Sequence, residues 1–178
     1  MCGFSGVCTG SSKRRRRPAW SCAAVWSSEE QLLIRWLFQE IRKHTDIRIH
    51  ALVRPRFGDF CYTDEEFILI REAVKEFRRL GAEGVVIGIL KPDGTLNMEQ
   101  MKRLMEDAEG MSVTLHRAFD VCADPYETME QAISLGIDTI LTSGQKNICT
   151  AGADLLKDLV EKSAGRITIQ VGSGVNAD

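Results

Sequence analysis

The sequence predicts an α/β protein in which the strands of one parallel sheet alternate with helices. Glycines that end predicted helices recur at Gly81, Gly110, Gly136 and Gly165, at spacings of 29, 26 and 29 residues. Such spacing is typical of a repeated βα unit. Strand segments such as VVIGIL and ITIQV are continuous apolar or β-branched runs, which are expected where helices cover a sheet. About five βα units are visible.

Capping signals define where the helices begin. Ser28 and Gln31 suit a capping box, as do Thr63 and Glu66, and apolar residues at helical spacing follow each pair. Asp124, followed by Pro125, provides a cap and a first-turn proline. The predicted strands are residues 47–53, 84–90, 111–116, 137–142 and 166–171, and the predicted helices begin near residues 28, 63, 97, 124 and 152.

Two architectures fit this order of elements, a (β/α)₈ barrel and an open doubly wound sheet. Five strands do not close an eight-stranded barrel, which typically takes about 250 residues. A barrel is therefore incomplete in these 178 residues.

The first 28 residues differ from the rest in charge. They contain Lys13 and Arg14 to Arg17 and no acid, and a net charge of −2 for the whole chain leaves −7 for the remainder. We expect residues 1–28 to be a disordered basic leader and residues 29–178 to form the partial barrel domain. The leader is typical of a nuclear-import run or an organellar presequence; alternatively it has no targeting role.

Composition excludes several classes of protein. An acidic body lacks the broad basic face that nucleic-acid binding requires. The longest apolar segments have strand length, far below the roughly 20 residues of a membrane-spanning helix. The six cysteines form no CxxC pair, which indicates free thiols in a reducing compartment.

Polar residues follow the predicted strands, where parallel α/β folds build their sites. Guanidinium groups offer paired donors to phosphate or carboxylate, and glycine amides can add a cradle. The sequence thus predicts a site for a small anionic metabolite. Its candidate residues are Arg54, Arg56, Asp59, His116, Arg117, Asp120, Ser143, Gly172 and Gly174.

The same residues allow a structural interpretation. Arg54 can pair with Asp59, and Arg117 with Asp120, so that the loops brace each other. His116 at a strand end suits acid–base work or metal ligation, or it is a buried histidine hydrogen-bonded to Asp120 or to a neighbouring strand.

Two thiols lie in the same loops. Cys61 and Cys122, with His116 nearby, form the soft donor set that favours Cu(I) or Zn(II). A lone cysteine is more often a small hydrophobic residue, so both interpretations stay open.

Several segments together resemble a known family. RPRFGDFCYTD, GVVIGIL followed by DGTLN, VTLHRAFD, ILTSGQK and GSGV are similar to the successive signatures of the CutC copper-homeostasis family. The resemblance implies a (β/α)₈ barrel, a cytoplasmic protein, a homo-oligomer and Cu(I) binding in intracellular copper handling. It leaves Cys61, Cys122 and His116 as the soft ligands for copper.

The chain also departs from the family pattern. Members begin with two further strands that carry cysteines in motifs such as EVCVDS and ELCSG, and neither motif is present here. Phe57 stands where the family usually has glycine, and Ser173 interrupts a usual glycine triplet. The sequence is therefore similar to a truncated or alternatively spliced member, or to an incorrect gene model.

Three functions follow as expectations. The first is copper homeostasis through Cu(I) binding. The second is a barrel enzyme that acts on a small phosphorylated or carboxylated metabolite at the Arg- and His-lined mouth. The third is an inactive truncated isoform that associates with intact subunits.

Overall fold

The computed structural model describes residues 20–25 and 28–175, which form one sheet of six strands with helices between them. The strands are β1 (Trp20–Val25), β2 (Ile49–Arg54), β3 (Gly84–Ile87), β4 (Ser112–Leu115), β5 (Thr139–Thr142) and β6 (Thr168–Val171). The helices are α1 (Ser28–His44), α2 (Asp64–Arg79), α3 (Met98–Asp107), α4 (Pro125–Leu135) and α5 (Ala153–Ser163), with a short 3₁₀ helix (Arg117–Val121) before α4.

The order of the strands distinguishes between the two predicted architectures. It runs β1-β2-β3-β4-β5-β6, and each neighbouring pair is parallel. In a doubly wound sheet the order of the strands reverses at a switch point. In a barrel each strand is added beside the preceding one, and every right-handed crossover helix lies on the same face. The α/β fold of barrel type is therefore confirmed, with five βα units followed by a sixth strand.

Two of the predicted caps, at Thr63 and Asp124, hold their helices at the expected starts. Thr63 accepts a hydrogen bond from the Glu66 amide, and the Glu66 carboxylate accepts one from the Thr63 amide, at 3.3 and 2.9 Å. This reciprocal pair satisfies two amides that the first turn of α2 leaves unpaired. Asp124 accepts hydrogen bonds from the amides of the first turn of α4. Gly136 ends α4 with φ 79°, a conformation that favours glycine.

Sheet register brings three residues into one row at the carboxyl end of the strands. Leu52 lies opposite Val86, which lies opposite Thr114. Side chains two positions apart on a strand share a face, so Arg54, Gly88 and His116 lie side by side beyond these three residues. The opposite face of β2, with its residues Ile49, Ala51 and Val53, is buried in the core against the helices.

One element differs from the sequence-based expectation. The structure forms β1 at Trp20–Val25, in parallel register with β2, inside the segment for which the sequence pattern indicates no regular structure. The segment WSCAAV contains few β-branched or aromatic residues, so its strand propensity is weak, and pairing with β2 provides the missing stabilisation. The basic run Lys13 to Arg17 lies outside the described residues, and the domain boundary at 28 stays a prediction.

None of the helices in the described part of the chain combines the length and the hydropathy that a bilayer crossing requires.

Candidate functional site

The loops that follow the strands divide the predicted site residues into two separate groups. One group joins the loop after β2 to His116 at the end of β4. The other joins the 3₁₀ helix after β4 to the loop after β5. Each group has its own hydrogen bonds and its own chemistry.

The first group is organised around the ring of Phe60. The Arg54 guanidinium lies over this ring with its carbon 4.5 Å from the centroid, and the His116 ring packs against it at 4.8 Å between centroids. The Phe60 carbonyl accepts a hydrogen bond from the Leu90 amide at 2.9 Å, which fixes the loop to the chain following β3. We call Arg54, Tyr62 and His116 the donor cluster.

Three polar atoms of the donor cluster are buried without a hydrogen-bond partner. They are Arg54 Nε, Tyr62 Oη and His116 Nε2. Among the described residues only one other buried side-chain atom shares this state, Glu76 Oε1, and it lies 3.1 Å from Arg35 Nε in an ion pair. Buried polar groups nearly always have a hydrogen-bond partner. Three such groups without a partner at the carboxyl ends of β2 and β4 are therefore unusual.

The tautomer of His116 follows from its local contacts. Its Nδ1 accepts a hydrogen bond from the Ala118 amide at 3.1 Å, so the proton of the neutral ring is on Nε2. Burial, and then the charge of Arg54, lower the pKa of His116 to about 3. His116 is 4% exposed and presents a neutral Nε2–H donor at ordinary pH.

Gly88 makes room for this imidazole. A Cβ at position 88 would lie 2.7 Å from His116 Cε1 and 2.8 Å from Nδ1, which is closer than real Cβ contacts. The ring therefore packs directly against the backbone that follows β3. Any side chain at position 88 would displace it.

Tyr62 supplies the third donor. Burial raises the pKa of its hydroxyl to about 12, so the group stays protonated. The Arg54 guanidinium is close enough to this hydroxyl for its charge and a weak hydrogen-bonding contact to oppose that rise, but no hydrogen bond of normal geometry joins them. Arg54 itself donates through Nη2 to the Gly58 carbonyl at 2.6 Å, which leaves its Nε–H for another partner.

Arg56 is fully occupied, unlike Arg54. It donates to the carboxylates of Glu66 and Asp59 at 2.6 and 2.8 Å, and to the Cys61 carbonyl at 2.8 Å. The hydrogen bond to Asp59, and then that to Glu66, raise the pKa of Arg56. The pairing of Arg54 with Asp59 in the structural interpretation was therefore wrong: Asp59 pairs with Arg56, and Arg54 instead lies over Phe60 and donates to the Gly58 carbonyl.

The second group is organised around the Asp120 carboxylate, which is 7% exposed. It accepts hydrogen bonds from Arg117 Nε at 2.6 Å and from the Thr142 hydroxyl at 2.5 Å. The amides of Ser143 and Gln145 donate to it at 3.0 and 3.2 Å. Burial opposes ionisation, but the hydrogen bonds from Thr142, Arg117 and these amides together lower the pKa of Asp120.

This network matches the structural interpretation of the second group. Arg117 also donates to the Ser143 hydroxyl at 2.8 Å, and that hydroxyl contacts the Lys146 carbonyl. Arg117, Asp120 and Ser143 thus bind one another and connect the loops after β4 and β5. His116 binds Ala118 instead of Asp120.

The glycine turn after β6 lies against the loop that follows β5. The Gly172 amide donates to the Thr142 carbonyl at 2.9 Å, so this amide is not free to cradle an anion as predicted. Gly174 has φ 73° and packs against Ile148, and its ligand role stays a prediction. Ser173, at φ 70°, adopts a conformation that favours glycine.

The predicted copper ligands Cys61, Cys122 and His116 are not arranged as a three-ligand group. In the described part of the chain no group of three or more His, Cys, Asp or Glu side chains is arranged to hold a metal ion. Burial raises the pKa of Cys61 and of Cys122, which disfavours the thiolates that bind metals. His116 Nε2 carries a proton while Nδ1 is engaged, so this residue does not fit as a ligand either.

Three contributing residues were not among the predicted site residues. Phe60 and Tyr62 lie in the loop that follows Arg54, and in the sequence they are indistinguishable from ordinary core aromatic residues. Gly88 lies in an apolar strand segment, and its only sequence signal is the spacing of four from Gly84, which places two glycines on the same face. Phe57, by contrast, is 75% exposed, and the positive φ in its loop falls on Gly58, at 101°.

Comparisons with known proteins agree with the fold and with the resemblance. Residues 35–178 match the model of the CutC family. A family protein CutC of Bacteroides fragilis (strain YCH46) is 49% identical over 132 residues, covering 74% of this chain and 53% of the relative. A family protein CutC of Vibrio campbellii is 45% identical over 142 residues, covering 79% and 58%.

A solved structure gives the same result. The structure of CutC from Streptococcus agalactiae, which carries a provisional copper-homeostasis name, matches with a TM-score of 0.75 and 30% identity. The match covers 81% of this chain and 70% of the Streptococcus agalactiae chain. The chain spans about half the length of the curated relatives it matches. With the family model covering residues 35–178, this chain belongs to the CutC family.

Proposed function

We propose that this chain binds a small anionic metabolite in the donor cluster of Arg54, Tyr62 and His116. The observation that supports this function is the set of three buried donor atoms without a partner. Leaving a buried donor unsatisfied costs about 1–3 kcal/mol. A ligand with acceptor oxygens would recover that cost at all three positions.

The position of the cluster supports the same function. Arg54 ends β2 and His116 follows β4, at the carboxyl edge where barrel proteins bind their ligands. Arg54 provides a positive charge, and no carboxylate of the described side chains lies within ion-pair distance of it. The proposal concerns binding and does not specify a reaction.

Arg54→Gln is expected to abolish stabilisation by small anions. A ligand that binds only the folded chain adds about 2.7 kcal/mol of stability at 100 times its Kd, and this gain depends on the guanidinium. We would measure thermal unfolding of the 178-residue chain over a concentration series of phosphate, acetate and pyruvate, at constant ionic strength.

Arg166→Gln is the matched control for general salt effects. Arg166 pairs with Glu130 and precedes β6, at the opposite end of the sheet, so this variant should keep the response to anions. An equal response in Arg54→Gln and in the unchanged chain would exclude the donor cluster as the anion site.

Copper homeostasis is a second candidate, favoured by the name of the Streptococcus agalactiae protein. For this chain we propose such a role without a copper centre at Cys61, Cys122 and His116, because the described side chains form no group of three possible metal ligands and burial raises the pKa of both thiols. The cytoplasmic location and the homo-oligomer implied by the family resemblance stay predictions, as does a targeting role of the leader.

The Cys61→Ser, Cys122→Ser double variant is expected to bind Cu(I) with the same affinity as the unchanged chain. The Cys122 side chain is buried, and its sulfur contacts Gln145 Nε2 at 3.5 Å, so copper would have to displace an existing contact. An anaerobic Cu(I) titration against a competing chelator tests this. Stoichiometric binding that disappears in the double variant would restore the thiol site.

A further inference from the structure

The charges around the donor cluster are close to balance. Arg56 is bound by two carboxylates, Asp59 and Glu66, and Arg54 is the guanidinium of this loop without an ion pair among the described side chains. The other two donors, on Tyr62 and His116, are neutral. The cluster therefore offers one unpaired positive charge beside two neutral donors, close to one carboxylate in the loop, Asp59, and one in the first turn of α2, Glu66.

This balance discriminates between classes of anion. A phosphate monoester carries up to two negative charges, and one guanidinium next to the carboxylates of Asp59 and Glu66 compensates only one of them. The amide of Gly172, a predicted member of an anion cradle, is engaged by the sheet. A carboxylate carries a single charge, and its two oxygens match the paired donors of a guanidinium.

The neutral donors require an acceptor of their own. With a carboxylate on Arg54, the Nε2–H of His116 is left for another oxygen, and Ala118 and Gly88 hold that donor in place. Such an oxygen can be a hydroxyl or a carbonyl next to the carboxylate. A neutral imidazole donates to either group without adding charge, and the Tyr62 hydroxyl donates in the same way.

From this geometry we infer that the ligand is a small 2-hydroxy- or 2-oxo-monocarboxylate, with its carboxylate on Arg54 and its second oxygen on His116 and Tyr62. The inference rests on the proposed function and names the substrate class of that site. It assigns His116 to binding as a hydrogen-bond donor, where the sequence suggested acid–base or metal chemistry.

The test compares four probes by calorimetric titration of the full chain: lactate, pyruvate, acetate and inorganic phosphate. Lactate or pyruvate is expected to bind about a hundredfold more tightly than acetate, about tenfold for each of the two hydrogen bonds that its second oxygen accepts from His116 and Tyr62, and it should also bind more tightly than phosphate.

Three variants assign the contacts. Arg54→Gln should weaken all carboxylate probes. His116→Asn keeps a side-chain oxygen to accept from the Ala118 amide but removes Nε2–H, and Tyr62→Phe removes a single oxygen. Each of the two is expected to weaken lactate or pyruvate about tenfold while leaving acetate unchanged, and Arg166→Gln should change neither.

Each outcome separates the inference from the proposed function. Phosphate binding as tight as that of lactate and pyruvate, and dependent on Arg54, would overturn the monocarboxylate and leave the anion site standing. Equal affinities for acetate and lactate would exclude the contact of the ligand's second oxygen with His116 and Tyr62. No binding of any probe by the folded chain would overturn both proposals.

Discussion

Replacing Asp120 with alanine is expected to lower the free energy of unfolding by about 2–6 kcal/mol, because two buried donors, the Thr142 hydroxyl and the Ser143 amide, are left without an acceptor at about 1–3 kcal/mol each. The Asp120 carboxylate accepts from Arg117, Thr142 and the amides of Ser143 and Gln145. Thr142 and Ser143 are fully buried, so their donors would lose their acceptor in a place that water does not reach.

Chemical denaturation of the Asp120→Ala variant measures this loss. Asp59→Ala is the matched control, because it also removes a carboxylate three positions after an arginine, but from an exposed pair, and surface ion pairs contribute little. A loss for Asp120→Ala no larger than that for Asp59→Ala would show that the network does not support the two loops.

The two groups at the carboxyl end of the sheet thus differ in physical state. Around Asp120 the donors are matched with acceptors, and the loops after β4 and β5 are locked together. Around Arg54 the donors lack acceptors. A variant at Asp120 should therefore change stability while the remaining folded chain keeps its response to small carboxylates, which would show that structure and binding are separable here.

Much of the fold could be predicted because its signals are local. Thr63 and Glu66 define the start of α2 within four residues, and Gly136 ends α4 through its own backbone conformation. Strand order is different, because it depends on contacts between distant segments, and the residues alone fitted both a barrel and a doubly wound sheet. β1 was missed for the same reason, since its pairing with β2 is not encoded in its own composition.

The position of the loops could be predicted, because the carboxyl ends of parallel strands meet at one edge of the sheet. Their role as a binding site stays a prediction. The hydrogen-bond partners within these loops were harder to predict from the sequence. Arg54 and Arg56 are both close in sequence to Asp59, and the backbone conformation decides which of them reaches it. The role of Gly88 was invisible, because it depends on the His116 ring lying over a neighbouring strand.

His116 is expected to make the chain lose stability in mild acid. Its pKa is about 3 in the folded chain, lowered first by burial and then by Arg54, against an ordinary value near 6.5. As pH falls below about 6.5, the unfolded chain takes up a proton that the folded chain does not. The contribution of the neutral His116 to the free energy of unfolding is therefore complete above about pH 6.5. It decreases toward pH 3 by about 1.4 kcal/mol per pH unit.

Comparison with His116→Asn isolates this contribution, since asparagine can retain the hydrogen bond with the Ala118 amide but does not titrate. Between pH 6.5 and pH 4.5 the unchanged chain should lose about 2–3 kcal/mol more than the variant, measured by denaturant unfolding at intervals of one pH unit. Burial also lowers the pKa of His50, and the carboxylates titrate in acid, but these groups are present in both proteins and cancel in the difference. Parallel curves for the two proteins would mean that His116 is charged, or solvated, in the folded chain. The neutral donor that the proposed carboxylate site requires would then be absent.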